Sequence, residues 1–240
     1  MRAYHHFSVN RSHRHLIFAF CFFLIPLIGL FAFSFVSGIS FFTSLADLSI
    51  SLWRLFLAFI AATVLAWLLV VFLIRGKTET PALAFFDVMQ SLPTFTILPL
   101  AIHYLGESET TIILFLIITI IWPIIFSIVS SIKQADSSWK DAVKMSGISG
   151  FDYILYYLFP LTTPGIVTGA IIGLGDGWEA LIATEIILQT KTGLGAFFQS
   201  FSSSSSETLL GILVFLSVVF TINKLIWLPL LEKSHTMTAQ

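Results

Sequence analysis

The chain is poor in charged residues and in cysteine. Only 10% of its 240 residues are charged, whereas about a quarter are charged in soluble proteins. Hydrophobic residues make up 57% of the sequence, and its mean hydropathy is +0.95. These values exclude a soluble globular domain and predict a polytopic, all-α membrane protein. The single cysteine, Cys21, lies in an apolar run, so an intrachain disulfide is excluded.

Groups that carry catalysis are also scarce. The sequence has no Gly-x-x-x-x-Gly-Lys-Ser/Thr phosphate loop, so we expect no ATP hydrolysis by this chain. Outside the two tails, His103 is the only histidine, and it has no neighbouring ligands. We therefore expect no enzyme, metal site, cofactor or nucleic-acid partner. The histidines near the N-terminus are open to metal binding, but a solvated basic tail at the membrane surface is the favoured interpretation.

Long apolar runs predict six membrane spans. The first, Leu16–Val36, is long enough to cross a hydrocarbon core of roughly 30 Å and too long for the core of a signal peptide. The third contains Pro93 and Pro99, which kink or break a helix. After the first, the five spans are predicted between Arg54 and Arg75, between Asp87 and Glu107, over Thr110–Ile132, from about Leu161 into the 180s, and over Leu209–Leu231. Residues 1–15 and 233–240 are predicted to be tails that flank a transmembrane domain at 16–232.

The positions of lysine and arginine predict the orientation. With six spans and a cytoplasmic N-terminus, the outer side receives only Arg54 and Lys191, and Lys224 lies within the last span. The cytoplasmic side receives the remaining basic residues, which are Arg2, Arg11, Arg14, Arg75, Lys77, Lys133, Lys140, Lys144 and Lys233. Both termini and the loop at 133–160 are therefore expected in the cytoplasm.

The loop between the fourth and fifth spans is polar and patterned as two short helices. Candidate N-cap residues of the first helix are Asp136, Ser137 and Ser138. Its apolar face consists of Trp139, Ala142, Val143 and Met145. Gly147 can adopt the left-handed conformation that ends a helix, and a second helix is expected over about Gly150–Phe159, stopping at Pro160. Such a loop docks into a protein partner or, alternatively, lies on the membrane surface.

The spacing within this loop resembles a known motif. Asp141-Ala142-Val143, then Gly147, then Pro160 reproduce the offsets of the Glu-Ala-Ala loop in permease subunits of binding-protein-dependent ABC transporters. Two further blocks, Leu92–Glu109 and Phe159–Glu185, resemble the proline-rich segment and the Trp…Glu signature of the nitrate/sulfonate/bicarbonate/taurine class of these permeases. The resemblance covers about residues 50 to 230.

The resemblance implies a multi-pass importer subunit in the bacterial inner (plasma) membrane. Two permease copies, identical by default, would line the path for a small solute. Cytoplasmic ATP-binding subunits would grip the loops, and an external or periplasmic solute-binding protein would deliver the solute. The residues expected at the ATPase contact are Trp139, Asp141, Ala142, Val143, Gly147 and Pro160, with Asp141 a candidate for an ion pair. Those expected in the translocation path or gate are Pro93, Pro99, Asp176, Trp178, Glu179 and Glu185.

Two acidic residues, Asp176 and Glu179, indicate which kind of solute the protein transports. Asp176 and Glu179 are expected at membrane depth, where ionisable residues are costly and normally face an interior cavity. An acidic path argues against a simple anion such as nitrate and favours a cationic or neutral organic solute, for instance a vitamin-precursor pyrimidine. The alternative is that both acids are neutralised or are paired with Lys224 of the last span. A secondary transporter with these intramembrane acids is the rival class, although the absence of a detectable inverted repeat and the long helical loop disfavour it.

Overall fold

The computed structural model describes residues 8–73, 79–135 and 137–238. Within these ranges every regular element is helical, which confirms the predicted all-α class. The helices are α1 (Ser8–Ser37), α2 (Phe41–Leu73), α3 (Glu79–Ser91), α4 (Thr94–Leu105), α5 (Glu109–Gln134), α6 (Ser137–Ser146), α7 (Gly150–Tyr153), α8 (Phe159–Ile187), α9 (Leu194–Ser200), α10 (Ser205–Ile222) and α11 (Leu228–Thr238). Two π-helical turns, Ile154–Leu158 and Asn223–Trp227, join α7 to α8 and α10 to α11.

Several of these helices can cross a membrane. Among the described residues, 4 are long and apolar enough, namely Phe41–Phe72, Glu109–Gln134, Gly150–Ile187 and Ser205–Ser234. The helices α3 and α4 form a fifth candidate, a pair bent by 84°. The described apolar part of α1, Phe22–Ser37, is shorter than these. The prediction of multiple spans is therefore confirmed, whereas the count of six is not.

The second and third spans differ from the predicted ones. The helix α2 begins at Phe41, so Arg54 lies within it rather than before it. The predicted span from Asp87 to Glu107 starts inside α3 and is interrupted before Thr94. The break falls at Pro93, whose ring removes a backbone donor and fixes φ. The positions Arg2, Arg75, Lys77 and Asp136, used above for orientation and capping, lie outside the described residues.

The connection between α5 and α8 contains the two predicted helices. Gly147 follows α6 with a φ of +70°, and α7 begins at Gly150. The second helix does not stop at Pro160, however, but continues through the π turn into α8. Proline is tolerated in the first turn of a helix, and the N–H of Phe159 reaches back to Ile154 in the wider turn that precedes it. We call residues 135–158 the α5–α8 connection.

Glycines bring α5 and α8 into direct contact. They recur every fourth residue on the side of α8 that faces α5, at Gly165, Gly169, Gly173 and Gly177. A Cβ atom at Gly169 would lie 2.5 Å from the Cα of Ile124, and one at Gly173 would lie 2.9 Å from the Ile120 carbonyl oxygen. Small residues of this kind let the backbones of membrane helices approach closely. The packing fixes which face of α8 remains open.

Candidate functional site

The helix α6 carries four of the six residues predicted to contact an ATPase, and Gly147 directly follows it. Asp141 and Ala142 are exposed, Val143 is half-buried, and Trp139 is 38% exposed. Pro160 is also exposed, but it lies beyond the π turn in the first turn of α8. The structure thus gathers the α6 residues at one surface, near the N-terminal end of α8.

The open face of α8 carries both predicted acids. Ile172, Gly175, Asp176 and Glu179 are exposed, and a Cβ atom built at Gly175 has no atom within 4 Å. We call these four residues the acidic face. In the part of the chain that the structure describes, neither acid forms a salt bridge with Lys224. The alternative in which Lys224 neutralises them is not observed.

Three other residues predicted for the path lie away from the acidic face. Trp178 is buried, and its ring packs edge-to-face on Phe215 of α10, with 5.3 Å between the ring centroids. Pro93 marks the bend between α3 and α4, and Pro99 lies inside α4. Both prolines are exposed, while α4 is held to α5 through the Phe95–Phe115 ring contact. The structure therefore groups Asp176 with Glu179, but not with Trp178 or the prolines.

Glu185 is fully buried near the C-terminal end of α8. Its carboxylate accepts hydrogen bonds from the Ser51 hydroxyl at 2.7 and 2.9 Å, from Arg54 Nη1 at 2.7 Å and from the Gly195 N–H at 2.8 Å. Buried carboxylates are costly unless they are paired and hydrogen-bonded, and here both conditions are met. Glu185 is therefore an internal bonding centre that ties α2 and α9 to α8.

Arg54 extends this bonding to α5. It is 4% exposed, and its Nε and Nη2 both donate to the Glu109 carboxylate, with an Nε distance of 2.7 Å. Its Nη1 also donates to the carbonyl oxygen of Thr192 at 3.1 Å. The two-pronged contact with Glu109 uses the planar donor geometry that guanidinium groups supply to carboxylates. Arg54, which lies within α2, thus links that helix to the N-terminal end of α5 and the C-terminal end of α8.

The loop after α8 is held by the same group of residues. The successive N–H groups of Gly193, Leu194 and Gly195 donate to Asp47 Oδ1 at 2.9 Å, Ser51 Oγ at 2.8 Å and Glu185 Oε2 at 2.8 Å. Gly193 has a φ of +112°, and a Cβ atom there would lie 2.7 Å from both Arg54 Nη1 and Glu185 Oε1, so only glycine fits. We call Asp47, Ser51, Arg54, Glu109 and Glu185 the arginine cluster.

Most of the arginine cluster was missed by reasoning from the sequence. The sequence signature points to Glu185, whereas the apolar runs place Arg54 only at the end of a span. The available signal was a lone cation inside the apolar run of α2, with the acids Glu109 and Glu185 at the ends of two other helices. Because a buried cation needs a partner, that combination favours an ion-pair cluster.

A polar cleft opens at the opposite end of α8, between α5, α6 and α8. Its volume is about 540 Å³. The hydroxyl and amide side chains along it are Ser127, Ser130, Ser131, Gln134 and Thr168, and Trp139 of α6 contributes to its wall. Among the residues that the structure describes, none that lines the polar cleft carries a formal charge.

These features define the class of the protein. The chain has long apolar helices, and two of them, α5 and α8, are packed together through glycines. An exposed helical connection joins these two helices. These features are typical of a polytopic membrane protein with a surface helix joined to its spans. Residues 62–232 match the family described as the binding-protein-dependent transport system inner membrane component. The chain belongs to this family, and the resemblance inferred from its motifs is confirmed.

Relatives in this family transport several small solutes. The nitrate import permease protein NrtB of Synechocystis is 30% identical over 171 residues, which are 70% of this chain and 62% of the relative. The taurine transport system permease protein TauC of Escherichia coli is 31% identical over 136 residues, 56% of this chain and 49% of the relative. The bicarbonate transport system permease protein CmpB of Synechocystis is 28% identical over 112 residues, 47% of this chain and 40% of the relative. Each match thus spans roughly half of the relative's length.

Proposed function

We propose that this chain is the permease subunit of an ABC importer that moves a small solute across the bacterial inner membrane. The observation that carries the proposal is the α5–α8 connection, in which α6 lies at the surface and is joined through Gly147 and α7 to a membrane-spanning helix. Separate cytoplasmic ATP-binding subunits hydrolyse the ATP, an external solute-binding protein delivers the solute, and a second, identical permease copy completes the path. Both termini lie in the cytoplasm.

In this proposal α6 is the element that the ATPase holds. Burial of the apolar surface of Trp139, Ala142 and Val143 supplies most of the docking free energy, at about 25 cal/mol per Å². Asp141 forms an ion pair with a basic residue of the ATPase. Gly147 acts as a pivot, and the continuous helix through Pro160 transmits movement of α6 to α8.

The acidic face lies along the translocation path. Asp176 and Glu179 are exposed on a membrane-spanning helix, and ionisable groups at membrane depth face an aqueous cavity or another protein surface rather than lipid. The names of the relatives refer to nitrate, taurine and bicarbonate. Two carboxylates on the path instead favour a cationic or neutral organic solute, such as a pyrimidine. The prolines of the α3–α4 bend, Trp178 and Glu185 support the path from the neighbouring helices.

Co-purification tests the importer proposal. The chain is expressed with its candidate ATPase as wild type, Asp141→Arg, Gly147→Pro and a matched control, Asp152→Arg, which changes an exposed aspartate on α7. We expect the wild type and the control to retain the ATPase and the other two variants to lose it. If no variant, including the wild type, binds an ATPase, the importer proposal fails and the secondary transporter becomes the better explanation.

Transport assays test the acidic face. Uptake of candidate solutes is compared between wild type, Asp176→Asn, Glu179→Gln and the control Glu232→Gln, which changes an exposed acid of α11. We expect reduced uptake in the first two variants only. Unchanged uptake in both would remove these residues from the path.

A further inference from the structure

The polar cleft and the acidic face lie on the same side of α8. Thr168 lines the cleft and is followed along the helix by Ile172, Gly175 and Glu179. Residues that recur every three or four positions share one helix face. At about 1.5 Å per residue, Thr168 lies roughly 12 Å along the helix axis from Asp176. The two features therefore form one strip that runs along the open side of α8 towards α6.

We propose that the polar cleft is a second solute subsite, which holds an uncharged, hydrogen-bonding part of the transported molecule before its release. This inference rests on the proposed function. The serines, Thr168 and Gln134 offer both donors and acceptors, and the lining residues that the structure describes carry no formal charge. The cleft volume of about 540 Å³ lies within the range of small-molecule sites.

Gly165 lines the cleft and lets α5 and α8 approach each other there. A Cβ atom at this position would lie 2.5 Å from the Ser127 carbonyl oxygen and 2.6 Å from Ser131 Oγ. Any larger residue would therefore push the two serines aside or occupy the space between α5 and α8. The close approach of the two backbones is thus also what places the serine hydroxyls beside Thr168.

Trp139 connects the cleft to the surface helix. Its side chain belongs to α6 and also lines the cleft. Its indole offers a flat apolar surface on which a heteroaromatic or other planar group can stack. Because this wall comes from α6, a displacement of α6 by the ATPase alters the subsite directly.

Thiol labelling tests the subsite. Cys21, the only cysteine, is replaced by serine, and Thr168→Cys or Ser127→Cys is introduced; Ser203→Cys, in the exposed turn after α9, is the reference. The purified chain in lipid nanodiscs reacts with cationic, neutral and anionic methanethiosulfonates. We expect both cleft cysteines to react within about tenfold of the reference and the cationic reagent to react at least about threefold faster than the anionic one, because the acidic face attracts cations.

Neutralising the acids of the acidic face separates the effect of their charge on the labelling rate from the effect of the cleft itself. In the Asp176→Asn, Glu179→Gln background, the three reagents should react at equal rates with Thr168→Cys after normalisation to the reference. Failure of both cleft cysteines to react overturns the proposal, as does a charge preference that is unchanged by neutralisation. A faster reaction of the anionic reagent in that background also overturns it.

Nucleotide dependence links the subsite to transport. With the ATPase subunits bound, trapping by ATP and vanadate should slow labelling of Thr168→Cys at least about tenfold while leaving Ser203→Cys unchanged. If the ATPase co-purifies but the cleft cysteines do not react, only this inference fails. If the cysteines react as expected but no ATPase binds, the proposed function fails and with it the assignment of the cleft to an importer.

Discussion

The two ends of α8 contrast in burial and in charge. At the C-terminal end, Glu185 is fully buried and Arg54 is 4% exposed, and both use their hydrogen-bonding groups within the protein. At the N-terminal end, the described residues that line the polar cleft carry no formal charge, and the described side chains of α6 are largely exposed. The first arrangement fixes helices relative to one another, whereas the second leaves surface for other molecules. One helix therefore combines an internally braced end with an end suited to movement and binding.

The middle of α8 connects its two ends mechanically, because it is packed tightly against α5. The glycine seam holds α8 against α5 from Gly165 to Gly177, so the two helices form one packed unit. In the proposed importer, a displacement that begins at α6 would reach this unit through the continuous helix that follows Gly150. The hydrogen bonds of the arginine cluster would then pass it to α2 and to the loop after α8. Substitutions in the arginine cluster and among the α8 glycines should therefore lower the stability of the fold, whereas substitutions near α6 should mainly weaken the binding of partners.

The largest effect is expected at the buried carboxylate. Glu185→Ala leaves Arg54 buried with only the partly exposed Glu109 as its ionic partner, and removing one partner of a buried pair costs about 3–5 kcal/mol. We expect a strongly lowered unfolding midpoint in detergent, measured by denaturant titration. Glu185→Gln, which keeps the shape and some hydrogen bonds, should fall between the wild type and the alanine variant. Equal midpoints for wild type and Glu185→Ala would show that the cluster does not brace the fold.

The glycine seam should give the next largest effect. Gly169→Ala places a methyl group 2.5 Å from the Cα of Ile124, so the helices must separate, at about 1–3 kcal/mol for overpacking. Gly175→Ala is the matched control, since it lies on the same helix with open space around its Cβ position. We expect a lower unfolding midpoint for Gly169→Ala and an unchanged or higher one for Gly175→Ala. Similar losses in both would indicate that helix propensity, not the seam, explains the result.

The sequence predicted elements with strong local signals. The apolar runs placed α5, α8 and the helix from Ser205 to Ser234, and Gly147 marked the end of α6 because few other residues adopt its positive φ. Local sequence patterns do not predict features that depend on contacts between residues far apart in the chain. Because a charge normally ends an apolar run, the sequence predicts that the second span begins at Arg54. Only the partners Glu109 and Glu185 make that charge tolerable inside α2.

The same limit applies to the candidate site. The serines of α5 and Thr168 of α8 are unremarkable in the sequence, since hydroxyls are common in membrane helices. They form a cleft only because Gly165 allows α5 and α8 to touch and because α6 folds back so that Trp139 lies beside them. Trp178 was assigned to the path from its place in a signature, whereas its contact with Phe215 depends on the packing of α10 against α8.

A smaller effect on stability is expected at the α6 end. Gly147 has a φ of +70° but open space around its Cβ position, so Gly147→Ala introduces backbone strain without a clash. The left-handed conformation costs an L-residue about 1–2 kcal/mol. Gly147→Asn should lose less, because asparagine adopts this conformation more readily. We expect a modest fall in the unfolding midpoint for Gly147→Ala, a smaller one for Gly147→Asn, and weaker ATPase binding by the alanine variant. A fall as large as that of Glu185→Ala would mean that this end also braces the fold.

The smallest effect is expected at Glu109, which tests whether burial or charge makes the arginine cluster strong. Its side chain is 63% exposed, although it contacts the same Arg54 as the buried Glu185. Exposed ion pairs contribute about 0–1 kcal/mol and are screened by salt. Glu109→Gln should therefore lower the unfolding midpoint slightly at low ionic strength and not at all in about 1 M salt, whereas the loss in Glu185→Gln should persist in both. If the two variants lost stability equally and with the same salt dependence, Arg54 would hold its two carboxylates by charge alone, and the depth of Glu185 would have no role in bracing this end of α8.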